Sequence, residues 1–228
     1  GPSLTARGVT GALPNPVLEL HDSSEATIAS NNDWKDNSAA DQTVLTDNGL
    51  APTNNLESAL VQSLAPGAYT AIVSGNNDTT GIGLVEVFDL DDPSVNGELA
   101  NISTRGLVGT DAKVLIGGVI IGPNGGADAT VIIRAIGPSL TPLGVSGALM
   151  DPFLQLFDAN GDQITSNDNW MMNSASDQET ITDAGLDPQN DAESVIVANL
   201  VAGGYTAIVS GVNSTTGVGL VEIYHITP

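Results

Sequence analysis

The chain has 228 residues, 41% of them hydrophobic, with 27 acidic residues against five basic ones, a formal net charge of −22, and no cysteine. That balance excludes nucleic acid and anionic membrane surfaces as partners, since both require clustered cations. The missing cysteine rules out a disulfide framework or thiolate metal site, and no apolar run reaches transmembrane length, so no membrane insertion is expected.

In chain order, the first element is an alternating strand over 17–22, with Leu18 and Leu20 on one face and Glu19 and His21 on the other. An Asn- and Asp-rich stretch carries Trp34, and a single helical turn is placed around 37–42; longer helices find no place. Three further strands are read at 58–64, 69–74 and 83–89, separated by turns rich in Gly, Pro, Asn and Asp. Residues 93–111 read as a linker, with 101–109 irregular or a short edge strand. Two apolar runs, 114–122 and 129–136, then read as a hairpin closed by Pro123-Asn124-Gly125-Gly126-Ala127-Asp128.

From Gly137 the chain repeats itself. Gly1-Pro2-Ser3-Leu4-Thr5 returns as Gly137-Pro138-Ser139-Leu140-Thr141, and the copies then align without a gap to the C-terminus, with about half the paired positions identical. Trp34 pairs with Trp170, and Tyr69-Thr70-Ala71-Ile72-Val73-Ser74-Gly75 with Tyr205-Thr206-Ala207-Ile208-Val209-Ser210-Gly211. A repeat this long is a whole domain, since solenoid periods run roughly 20–50 residues. The fold class expected is all-β, two tandem antiparallel β-sandwich domains of jelly-roll or Ig-like type. Residues 1–92 form the first repeat, 93–111 the linker, and 112–228 the second repeat with a leading hairpin at 112–136.

The first copy has no such hairpin, so it would expose a sheet edge and part of its core. Three outcomes are open: the chain is a trimmed piece of a longer array, the hairpin serves both bodies, or a neighbouring molecule adds a strand and builds a fibre. Arg134, a cation inside an apolar strand, needs a carboxylate, and Glu222 is its candidate partner. The equivalent Glu86 would receive an Arg only from a donated strand, which makes Arg134, Glu86 and Glu222 candidate assembly residues.

Two small-ligand sites come into view. Asp158, Asn160 and Asp162, followed by Asp168, have the alternating oxygens of a calcium loop, but the same residues suit a hairpin turn. The first copy keeps only Asp22 of that set, so Ca2+ is a minor expectation and no other cofactor is implied. Trp34 and Trp170, flanked by Asn and Asp, could stack on a sugar ring or plug one end of a sandwich with the indole N–H bonded to a turn carbonyl; the plug is favoured. The only histidines, His21 and His225, do not repeat, and no nucleophile-elbow sequence occurs, so no enzyme is expected.

The run Phe153-Leu154-Gln155-Leu156-Phe157-Asp158-Ala159-Asn160-Gly161-Asp162-Gln163-Ile164, then Asn167-Asp168-Asn169-Trp170 and the Gly-Gly-Tyr turn before Thr206, resembles the bacterial pre-peptidase C-terminal type of β-sandwich. The segment 100–106 and the hairpin resemble repeat units of large secreted surface proteins. The first copy departs from the pattern at Ser23-Ser24-Glu25-Ala26, where the Asn-Gly turn is lost. The resemblance implies a secreted, non-catalytic module at the cell surface. The role expected is structural, a subunit that self-associates or packs against neighbouring repeats, with strand complementation into a filament as the sharper form. The alternative is an accessory calcium- or carbohydrate-binding module of a secreted hydrolase.

Overall fold

A computed structural model describes residues 1–91, 99–122 and 128–226. The chain divides into two compact units, Gly1–Gly97 and Glu98–Pro228, and is mostly β, with three antiparallel sheets and few helices.

The first unit opens with a short helix, α1 (Ser3–Ala6), and holds one three-stranded sheet. Its centre is β1 (Pro16–His21), flanked by β2 (Thr27–Asn31) and β3 (Thr70–Gly75). Between β2 and β3 lies a helix, α2 (Ala39–Asp47). The second unit holds β4 (Asn101–Val108), β5 (Leu115–Ile121), β6 (Ala129–Ile136), β7 (Pro152–Phe157), β8 (Gln163–Asn167), the helix α3 (Ala175–Asp183), β9 (Ser194–Leu200), β10 (Gly203–Gly211) and β11 (Gly217–Ile226). These strands form two four-stranded sheets, ordered β5-β10-β7-β8 and β4-β11-β6-β9. One apolar cluster takes side chains from both, including Leu154 and Leu156 of β7, Val209 of β10, Ile133 of β6 and Val221 of β11.

Elements recur 136 residues apart: β1 with β7, β2 with β8, α2 with α3. Registers recur too. Leu18 faces Asn31 and Val73, as Leu154 faces Asn167 and Val209.

Several expectations are corrected. The helix expected as one turn is nine residues long in both units. Its start is an S-x-x-D capping pair: Ser38 Oγ accepts the Asp41 N–H at 3.2 Å and donates to its carboxylate at 2.8 Å, and Ser174 does the same with Asp177. Within the segment read as a linker, the edge-strand alternative holds for 101–108: β4 lies at the edge of its sheet, paired along its whole length with β11. The turn 123–127 and most of the linker core, 92–98, lie outside the described residues.

The runs read as a hairpin do not pair with each other. β5 joins β10 in one sheet, and β6 lies between β9 and β11 in the other. The continuous apolar character of β6 has a different cause. Val131, Ile133 and Ala135 enter the shared core, while Ile132 enters a second cluster with Ile181 of α3 and Val195. A strand buried on both faces has no polar side to alternate with.

In the first unit, neither 58–64 nor 83–89 forms a strand. Their counterparts, β9 and β11, both pair on β6. Residues 1–91 contain nothing equivalent to β6, so the second sheet has no centre on which to form.

Candidate assembly site

The unpaired runs of the first unit are anchored at their starts as in the second. Ser58 Oγ donates to the carbonyls of Pro16 and Asn32 at 2.5 and 2.9 Å; Ser194 Oγ donates to those of Pro152 and Asp168 at the same distances. The Ala59 N–H reaches Asn31 Oδ1 at 3.0 Å, as the Val195 N–H reaches Asn167 Oδ1. At the other run, the Leu13 N–H donates to the Ile82 carbonyl at 2.8 Å and the Ile82 N–H to that of Gly11 at 2.9 Å, matching Leu149, Val218 and Gly147. Both flanks of the site are therefore fixed where β9 and β11 begin.

Beyond those anchors the side chains lose their cover. Leu64 is 45% exposed where Leu200 is 3%, and Val87 is 51% exposed where Ile223 is 3%. Leu84, Phe88 and Leu90 are exposed as well. Of the 25 buried Ala, Val, Ile, Leu, Trp and Tyr residues among those described, only Leu13, Trp34 and Leu45 lie in the first unit. An added Cβ on Gly219 would meet Val108 and Leu115, from β4 and β5, whereas one on Gly83 would meet only Val73 and Leu13. Leu64, Leu84, Val87, Phe88 and Leu90 thus lie uncovered along the two runs.

One charge punctuates that face. In the second unit Arg134 and Glu222 are cross-strand partners, with Nε 3.3 Å from Oε2. Glu222 Oε1 also accepts from Tyr224 at 2.9 Å and from Ser103 of β4 at 3.2 Å. Burial, then the bond to Glu222, pushes the Tyr224 phenol up to about 12. In the first unit Glu86 is exposed, Phe88 replaces Tyr224, and Glu86 has no partner among the described residues.

The remaining candidates sit elsewhere. Asp158 Oδ1 accepts the N–H groups of Asn160 and Asp162, each at 2.9 Å, and these backbone bonds hold its carboxyl below the usual range against the opposing effect of desolvation. Asp22 does the same for Ser24 and Ala26, with the Ser24 hydroxyl as the leading cause. The loop carboxylate thus closes an Asx turn in both units. Asp168 lies at the other end of β8, on the order of 15 Å along the strand from that turn. Among the described residues no group of three or more acidic, His or Cys side chains comes together.

Trp34 is 5% exposed, with Lys35 Nζ 3.7 Å from its ring centroid. Trp170 packs on the cluster of Ile132, Ile181 and Val195. Neither indole N–H finds the turn carbonyl expected for a plug.

Sequence reasoning missed two sets of residues. Glu193, fully buried, accepts the N–H groups of Gly137 and Ser139 at 3.0 and 2.9 Å and the Ser139 hydroxyl at 2.7 Å. Glu57 accepts the Ser3 N–H at 3.0 Å and the Ser3 hydroxyl, as Glu193 accepts those of Ser139. Burial alone would raise the Glu57 carboxyl, but these donors hold it below the ordinary value. The signal was the identity of Glu-Ser at 57–58 and 193–194. The second set is Asp151, whose carboxyl burial, and then the charge of Asp168, pushes up; Asn15 and Asn32 stand at the equivalent places.

No protein-family model and no curated protein matches the chain.

Proposed function

We propose that this chain is a non-catalytic structural module of an extracellular or cell-surface protein. It is built from two tandem copies of one β-sandwich, the first of which is completed by a strand from a neighbouring repeat. Assembly by strand complementation extends such modules into a filament or surface array. One observation carries this reading: the runs 58–64 and 83–90 are anchored at their starts like β9 and β11, yet take no strand partner among the described residues and leave Leu64, Leu84, Val87 and Phe88 exposed.

The alternative, an accessory calcium- or carbohydrate-binding module, rests on Asp158, Asn160, Asp162, Trp34 and Trp170. The Asp158 carboxylate is engaged in its own turn and Trp34 is buried. Light scattering after size exclusion, with negative-stain images, tests the assembly reading. Association into extended particles is expected. A monodisperse monomer at every concentration would remove it.

A further inference from the structure

The two sheets of the second unit treat their outer faces differently. On the β4-β11-β6-β9 sheet, the outward Ile132 is covered by Ile181 of α3, and the outward Ile136 by Leu140. The β5-β10-β7-β8 sheet sends Leu154, Leu156, Ala207 and Val209 into the core. Alternation therefore turns Phe153, Gln155 and Phe157 of β7 outward, with Thr206 and Ile208 of β10 beside them. Ile208 in turn stands beside Ile116 of β5. An antiparallel sheet that faces water normally carries polar residues at such positions. Here Ile116 is 52% exposed and Ile120 78%, and neither joins an apolar cluster among the described residues.

Charge sets this face apart. The chain carries 27 acidic residues, yet no Asp, Glu, Lys, Arg or His falls in β5, β7, β8 or β10. The equivalent strand of the first unit, β1, carries Glu19 and His21, whose side chains approach to 3.5 Å, where β7 carries Gln155 and Phe157. At a formal net charge of −22, two copies repel each other in most orientations. Meeting on these sheets, they bring apolar surface together with no charge to desolvate. A cationic partner would be drawn to the acidic remainder of the surface instead. The occupant that matches a neutral apolar face on an acidic protein is the same face of another copy.

We propose that the outer face of the β5-β10-β7-β8 sheet docks on the same face of a second copy, as an isologous sheet-on-sheet pair related by a two-fold axis. The contact uses the second unit alone and does not depend on how the first unit is completed. A four-stranded face is small for a permanent interface, so the dimer is reversible and concentration-dependent.

The test is analytical ultracentrifugation of the whole chain over a concentration series. A monomer–dimer equilibrium is expected. It should tighten as salt rises from about 0.05 to about 0.5 M, because screening weakens the repulsion between the acidic copies. Ile116→Glu should weaken the dimer about tenfold or more, since like charges then meet across the axis. Gln155→Glu together with Phe157→His should do the same. That pair is already accommodated at 19 and 21 of the first unit, so it tests the face without asking the strand for anything new. Val87→Glu, on the exposed run of the first unit, should leave this dimer unchanged. A dimer that ignores both second-unit changes would overturn the proposal. Association weakened by Val87→Glu alone would overturn it and keep strand complementation. Association that weakens as salt rises would overturn the neutral face as its cause. A monomer at every concentration would overturn the second copy as occupant. Loss of the dimer with Ile116→Glu but not with Val87→Glu would keep this face even where strand complementation fails.

Discussion

At the scale of single residues, buried carboxylates do structural work here. Glu193 satisfies three donors at the start of the second repeat body. Glu193→Ala orphans all of them, at about 1–3 kcal/mol each, and is expected to destabilise the second unit by several kcal/mol in denaturant unfolding. The carboxyls of Asp22, Asp158 and Glu57 are all held below their ordinary values. In each case the folded state binds protons less readily than the unfolded chain. Their contribution is therefore complete above the usual carboxylate pKa, near 4, and is lost as pH falls through the lowered folded values. Asp151 has the opposite sign. Its folded value lies above the unfolded one, so its unfavourable contribution fades as pH falls through that window. Asp151→Asn should leave stability at neutral pH equal or higher, within about 0.5 kcal/mol, and remove that component from the pH profile. A clear loss at neutral pH would show that the carboxylate has an unrecognised partner.

At the scale of elements, the same residue has different value in the two copies. Leu154 is fully buried between sheets, while Leu18, its counterpart in β1, is only half-buried. Leu154→Ala is expected to cost about 2–5 kcal/mol, and Leu18→Ala clearly less, as measured by chemical unfolding of each unit. Equal costs would mean that the first unit closes a core of its own. The helices behave alike: Ser38→Ala and Ser174→Ala each remove one cap and should cost about 1 kcal/mol. The Ser38–Asp41 and Ser174–Asp177 caps went unread in the sequence, because weak amphipathic patterning hid the helices behind them. The strands at 16–21 and 152–157 were legible because one covered face imposes alternation. β6 was legible as a strand but its pairing was not, since a run apolar on both faces carries no record of its neighbours.

At the scale of the whole molecule, the described residues hold one strand of the β6 type, and it centres a sheet of the second unit. Calorimetry is expected to show two transitions, with the first unit melting first because it buries far less apolar surface. A single transition would count against unequal burial in the two units. The sequence by itself determined the repeat, the all-β class, the acidic surface and the identity of Arg134, Glu222 and Glu86, because these depend on composition, local alternation and alignment of the chain with itself. Only the tertiary structure decided that β5 and β6 part into different sheets, that Asp158 spends its carboxylate on a turn, and that 58–64 and 83–90 remain unpaired. Those outcomes depend on which segments meet across long sequence separations, and strand pairing is fixed by the partners available rather than by the strand's own residues.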